Sequence, residues 1–369
     1  MTKNINTENF HNSITRPNTK FKKSQRLFKY DNLRGFAIIL VVFFHVLDSF
    51  FQFPFYRPLG QITLVIAMPL LFFISGYFSK VDENTQIKAF KGLFIPFILF
   101  CTLWIAFSFF VFGSNLPKTP YLVPAAGLWY LITLFFMRSF LPVFTKIKHV
   151  FWIMVALALL IGLISLKSNF LGILKGLYYL PIFMLGYYFR NSDDYLNSIN
   201  VKLKNILLKL RDFIINNKLL IIIFLGLFLL ALSFIFSDFP KNFFSFEKGY
   251  VQLDLGKKIG MLMRTLTLFS SIITVILLTY LMPNKKTFLT KIGVNSLAIY
   301  ILHFYFTRSL KNFFLDSSLG QLLFTNPYLA FLYVTIVTAF IVFILSRDIV
   351  TIYMKKFIDF FVNLVVKPN

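Results

Sequence analysis

Residues 35–53, from Gly35 to Phe53, read GFAIILVVFFHVLDSFFQF and carry only two ionisable side chains, His45 and Asp48. A helix of that length rises about 28 Å, close to the ~30 Å hydrocarbon thickness of a bilayer. The stretch therefore reads as a membrane-spanning helix. Further apolar windows of similar length follow at about 59–78, 92–112, 122–141, 149–166, 171–189, 219–236, 259–282, 293–313 and 327–350. Together they predict an all-α, polytopic membrane protein: a bundle of about ten transmembrane helices. Pro181 falls in mid-window and removes a helix hydrogen bond, which a packed bundle tolerates.

Composition excludes the alternatives. Of 369 residues, 57% are hydrophobic and 14% charged, against roughly 45–50% and ~25% in soluble domains. That apolar surface cannot be hidden in ordinary globular domains, and 51 Phe are the opposite of a disorder signature. A single cysteine, Cys101, excludes an intramolecular disulfide framework and any multi-cysteine metal site; no metal is expected. The net charge of +24 would suggest nucleic acid in a soluble chain. Here the basic residues cluster in short segments between apolar windows, the pattern of cytoplasmic loops and of attraction to anionic membrane lipids. No nucleic-acid partner is expected.

Counting Lys and Arg on alternate sides gives 27 on the side of the N-terminus and 11 on the other. The positive-inside rule then places both termini in the cytoplasm of a cell-membrane protein. The expected organisation is a polar basic tail at 1–29, a membrane domain at 30–353 and a second cytoplasmic tail at 354–369. Within the membrane domain, 190–218 is a cytoplasmic loop and 237–258 an extracytoplasmic one. Lysines interleaved with Leu and Ile make 190–218 either an amphipathic interfacial helix or a solvated linker.

Ionisable groups inside spans are costly and mark function by default. Eleven residues separate Arg34 from His45, about 20° past three full helical turns, so both project from one face. Asp31 and Asp48 join the same stripe. The axial rise between Arg34 and His45 is about 16 Å, which puts Arg34 at the cytoplasmic edge and His45 near the midplane. Taken singly, Asp31 reads as a helix cap and Arg34 as a snorkelling flank residue. A midplane imidazole is harder to dismiss.

The stretch Tyr30-Asp31-Asn32-Leu33-Arg34-Gly35-Phe36-Ala37, with His45 beyond it, resembles the first-helix signature of the membrane-bound acyltransferase-3 family. Five later blocks resemble that family in order: the aromatic run ending in Ser75-Gly76-Tyr77-Phe78, Leu93-Phe94-Ile95-Pro96 after Lys88 and Lys91, Leu128-Trp129-Tyr130-Leu131, Leu185-Gly186-Tyr187-Tyr188-Phe189, and Gly293 to His303. The last three of these blocks resemble its sugar O-acetylase branch, the fucose 4-O-acetylase-like proteins.

The resemblance implies transfer of an acyl group, usually acetyl from acetyl-CoA, to a hydroxyl of an envelope polysaccharide or lipid-linked sugar. Against that chemistry, His45 suits the base that a weak hydroxyl nucleophile needs, and Asp48 suits an orienting carboxylate. Whether His45 takes the proton or first carries the acyl group stays open. Arg34, with Asp31, Lys88 and Lys91, suits the donor phosphates. Ser296, Tyr300 and His303 share a second helix face, as acceptor contacts or as packing hydrogen bonders. Trp129 and Tyr130 are placed to stack on a sugar or to anchor at the interface. Ser75-Gly76 reads as a close-packing site. The expected passage runs along the first helix, open to the cytoplasm beside Arg34 and narrowing at His45. A multi-pass transporter or exporter is the competing class, because intramembrane His and Asp also suit a proton-coupled carrier.

Overall fold

The computed structural model describes residues 27–164, 170–192, 201–237 and 239–367. The expected tail 1–29 lies almost entirely outside the described residues, as do positions 193–200 of the 190–218 loop. The ordered elements are helical, with no strand among the described residues. They are α1 (Phe28–Leu47), α2 (Tyr56–Phe78), α3 (Thr85–Phe112), α4 (Trp129–Phe144), α5 (Val150–Leu160), α6 (Ile173–Arg190) and α7 (Val201–Asn216). The chain continues through α8 (Lys218–Phe236), α9 (Lys257–Leu281), α10 (Phe288–Val294), α11 (Ser296–Ser309), α12 (Pro327–Leu345) and α13 (Asp348–Val365).

Seven helical segments are long and apolar enough to cross a membrane, and two shorter apolar ones, around α4 and α5, join them. Each apolar window of the sequence overlaps a helix, although residues 122–128 of the fourth lie in the loop before α4 and 165–166 of the fifth lie outside the described residues; α6 runs through Pro181 without a break. Large side chains such as Phe110, Trp152, Leu219 and Phe234 face outward and exposed. A water-facing protein would not keep so extended an apolar surface; lipid accounts for it.

Two boundaries differ from the sequence reading. The ninth window breaks at Asn295, so that α10 and α11 are separate, and α11 continues through a π turn at Leu310–Leu315. At that break Asn295 ties the chain to the segment after α12, donating to the carbonyl of Ser346 at 2.9 Å and to Asp348 at 2.9 Å. The segment expected as a tail from 354 starts inside α13, which buries Met354, Ile358 and Val362. Those positions recur every four residues, the helical period that draws the segment onto the bundle.

The motif glycines hold backbones in contact. A methyl group on Gly35 would overlap the Leu289 carbonyl, and one on Gly293 the Asp31 carbonyl, which locks α1 against α10. Gly76 and Gly186 form the matching pair between α2 and α6, against the carbonyls of Phe183 and Phe73. Small residues allow such contact where lipid offers no hydrophobic drive to associate. Ser75-Gly76 is thus the packing site expected of it.

Asn32 completes the α1–α10 joint. Fully buried, it donates to the carbonyls of Pro283 at 3.0 Å and Lys285 at 2.9 Å. Its oxygen accepts from Thr287 at 2.8 Å and Thr290 at 2.6 Å. All four amide positions are used.

The loop after α8 folds back onto the bundle. Phe243, Phe244, Phe246 and Tyr250 are buried, and the Tyr250 hydroxyl donates to the Leu159 carbonyl at 2.7 Å. Arg264 of α9, 1% exposed, lies within 6 Å of the rings of Tyr178, Phe243, Phe246 and Tyr250. Face-on rings solvate a desolvated guanidinium through their quadrupoles. The loop supplies three of those rings.

Asn32→Ala should lower stability by about 1–3 kcal/mol or more, since it strands buried partners without altering helix propensity adversely. A thermal unfolding curve in detergent measures it; an unchanged midpoint would show that the joint is not held by this amide.

Candidate functional site

α1 starts at one end of the bundle and delivers His45 and Asp48 to the other. Both are half-buried and both line an open cavity of about 670 Å³, together with Trp104, Asn115, Thr119 and Phe304. The loop between α3 and α4 forms most of the remaining wall, and Arg308 and Lys311 stand on its rim. The wall therefore mixes flat aromatic faces, hydroxyl and amide groups, two cations and one carboxylate.

Behind His45, α11 places His303, 0% exposed, with ring centroids 5.3 Å apart. Phe304 packs on both imidazoles, 4.6 Å from His45 and 4.0 Å from His303. His303 Nδ1 lies 3.0 Å from the Ile299 carbonyl. A carbonyl can only accept, so Nδ1 carries the proton and Nε2 keeps a lone pair. That Nε2 is buried and has no hydrogen-bond partner among the described residues. A buried imidazole with a bare nitrogen beside a second imidazole can accept or relay a proton.

From the histidines, an aromatic file leads back through the bundle. His303 neighbours Tyr300 at 6.1 Å, and Tyr300 neighbours Tyr130 at 5.0 Å. Tyr300 donates to the Gly127 carbonyl at 2.5 Å, and the Tyr130 hydroxyl shares a hydrogen bond with Ser75 at 2.8 Å. Both tyrosines are buried. Beyond them, Arg34 and Arg138 lie within electrostatic range of each other and of Tyr130.

Arg138 lines a second cavity, of about 180 Å³, shared with Ser79, Lys80, Asp82, Thr85 and Lys88. Its Nε is buried and has no hydrogen-bond partner among the described residues. Lys88 pairs with Asp82 at 2.7 Å, which holds that carboxyl below its ordinary range. Arg34 lies over the Phe78 ring at 5.4 Å. A guanidinium and lysines gathered around one cavity offer charge-assisted hydrogen bonds to an anion.

The other expected residues fall as follows. Asp31 sits half-buried in the first turn of α1, where Leu27 rather than Asp31 is the cap residue. Lys91, in the π turn Phe90–Phe94, does not line the second cavity, although Lys88 does. Trp129 does not reach the first cavity: it packs on Tyr179 and Phe72, under the Lys175 ammonium at 4.5 Å. Lys175, only 7% exposed, pairs there with Glu247 of the folded-back loop at 2.7 Å. Trp104 is the indole on the cavity wall. Ser296, Tyr300 and His303 share a face of α11, but none lines the first cavity; Ser296 lies about 10 Å along the axis from His303.

The expected passage is corrected in direction. The cavity at His45 opens at the Asp48 end rather than beside Arg34, and buried Tyr130 and Tyr300 fill the space toward the arginines. Arg138, Arg264 and Lys175 were within reach of the rule that singled out His45, since each interrupts an apolar window. Arg138 stands near a window end, where it reads as a flank. Trp104 carries no sequence signal among so many aromatics.

The family model described as acyltransferase domain, of the acyltransferase-3 type, matches residues 27–347. No curated protein and no solved structure matches the chain.

Diethyl pyrocarbonate should modify His45 and exposed His149 while sparing His303, which has no exposed surface. Peptide mass spectrometry reads the adducts. Equal modification of His303 and His45 would contradict the placement of one on the cavity wall and the other behind it.

Proposed function

The chain belongs to the acyltransferase-3 family and is a multi-pass membrane acyltransferase; from that premise we propose that it moves acetyl from acetyl-CoA to a sugar hydroxyl of an envelope polysaccharide or lipid-linked glycan. The observation that carries this reading is the placement of His45, on a cavity wall with His303 behind it and the Arg34–Arg138 pair at the far end of the same helix bundle. In this reading the protein sits in the cell membrane with both termini cytoplasmic, and the arginine end faces the cytosol.

The donor's phosphates bind at the Arg34, Arg138 and Lys88 end, where guanidinium forks match phosphate oxygens. Lys91 contributes charge from outside that cavity, and Asp31 acts on the donor only through α1. The acyl-bearing arm reaches inward, and Tyr130 and Tyr300 must swing aside to admit it. The acceptor enters at the Asp48 end, with Trp104 as the stacking face in place of Trp129. His45 withdraws the hydroxyl proton as the oxygen attacks the thioester carbonyl. The carbon–sulfur bond then breaks, the proton passes to the departing thiolate, and ester and free CoA leave by opposite ends. His303, its tautomer fixed by Ile299, presents a bare Nε2 beside His45 that can take up a proton as the imidazolium forms. Asp48 stabilises the imidazolium.

This division of labour separates kinetically. His45→Ala should reduce turnover by about 10²–10⁴-fold, the usual range for a lost general base. Arg138→Gln should raise the KM for acetyl-CoA roughly 10- to 100-fold with a smaller change in kcat, as loss of a charged hydrogen bond does. Transfer of radiolabelled acetyl by the full chain in nanodiscs measures both. Wild-type turnover in His45→Ala would refute the mechanism, and an unchanged KM in Arg138→Gln would refute the donor site.

A further inference from the structure

The cations at the rim of the His45 cavity have no part in binding the donor. Arg308 and Lys311 lie five and eight residues beyond His303, about 7.5 and 12 Å along the helix axis toward the mouth. The π turn at Leu310–Leu315 follows directly and includes Lys311; such turns re-aim side chains and recur at functional sites. Both side chains are exposed, and neither forms an ion pair among the described residues. Arg308 rests on the Phe112 ring at 5.9 Å, which steadies it without neutralising it. Asp48 is the one carboxylate on the wall, and it sits beside His45 rather than at the rim.

An uncompensated pair of cations at a cavity mouth focuses an anion there. Their setting beside Trp104, Asn115 and Thr119 adds a flat face and neutral hydrogen-bonding groups, which suit sugar rings and hydroxyls. We propose that the acceptor is an acidic glycan, whose carboxylate or phosphate docks on Arg308 and Lys311 while a hydroxyl of a neighbouring unit reaches His45. The inference rests on the acetyl-transfer reading and names its acceptor class. About 1.4 and 2.2 helical turns separate Arg308 and Lys311 from His303. The anion therefore belongs to a different unit from the acylated hydroxyl, and the site selects a charged polymer rather than a single charged sugar.

The test reads binding without turnover. The full chain in phosphatidylcholine nanodiscs is titrated with three probes: a glucuronic-acid-containing oligosaccharide, its carboxyl-reduced neutral counterpart, and a glycerol-phosphate oligomer. At low salt at least one acidic probe should bind roughly 10- to 100-fold more tightly than the neutral one, the range of a charge-assisted hydrogen bond. Which acidic probe does so identifies carboxylate or phosphate as the preferred group. The preference should vanish in the Arg308→Gln/Lys311→Gln double variant, survive in Arg308→Lys, and fall with added salt. The neutral probe should bind wild type and double variant alike. Equal binding of acidic and neutral probes, failure of both acidic probes to bind, or an acidic preference that survives the double substitution overturns the proposal. The two readings fail separately. Loss of acidic preference with acetyl transfer intact sinks this inference alone, while acidic binding without any acetyl transfer sinks the reaction and leaves the site.

Discussion

Hydrocarbon offers no hydrogen bonds, so each polar group carried into the bundle must find its partner inside the protein. Most of the architecture follows from that constraint. Asn32 spends all four hydrogen-bonding positions on one joint between α1 and the segment leading into α10. Lys175 finds Glu247 and the Trp129 ring, and Arg264 finds four aromatic rings. These last two solutions recruit the same loop, which is why a segment outside the apolar windows is nonetheless packed. Two of the exceptions to full pairing bracket the site: the Nε of Arg138 and the Nε2 of His303. Unpaired buried nitrogen is expensive to keep, and in the proposed reaction one meets phosphate and the other meets the proton of His45.

α1 is the ruler of the account. Its glycine contacts with α10 fix its depth, and its helical rise sets Arg34 and His45 about 16 Å apart along one face. Everything else in the site is hung from neighbouring helices: Arg138 from α4, Trp104 from α3, His303 and the rim cations from α11. Between the two cavities the tyrosine file is closed. The bundle thus separates two chemical environments and keeps one pair of imidazoles at the boundary, as suits transfer of a small acyl group in place of whole-substrate transport. The transporter reading loses its footing with the match to an acyltransferase domain.

Sequence periodicity located the helices well because a spanning helix must be apolar along its length, and that is a local property. It located His45 for the same reason, as a lone imidazole in an apolar run. It did not locate Trp104 or the partnership of His45 with His303, because contact between α1 and α11 is tertiary and leaves no mark in either segment. Trp129 was the more conspicuous indole in its motif, yet a buried lysine from α6 claims its face. The amphipathic period of α13 was present in the sequence, but it lies beyond the last apolar window, and only its packing shows that the segment joins the bundle. Gly35, Gly186 and Gly293 stood inside recognisable motifs, and Ser75-Gly76 already read as a packing site; the paired backbone contacts show which helices the four glycines bring together.

The central claim is that donor and acceptor meet the His45–His303 pair from opposite faces of the membrane. Sealed proteoliposomes test it, with the orientation of each population fixed by an impermeant thiol reagent on a Lys209→Cys chain, acceptor glycan sealed inside and radiolabelled acetyl-CoA supplied only outside. The account predicts label in the enclosed glycan only from molecules whose Arg34–Arg138 end faces outward. Equal labelling from donor presented at the Asp48 end, or transfer confined to acceptor on the donor's own side, would contradict it.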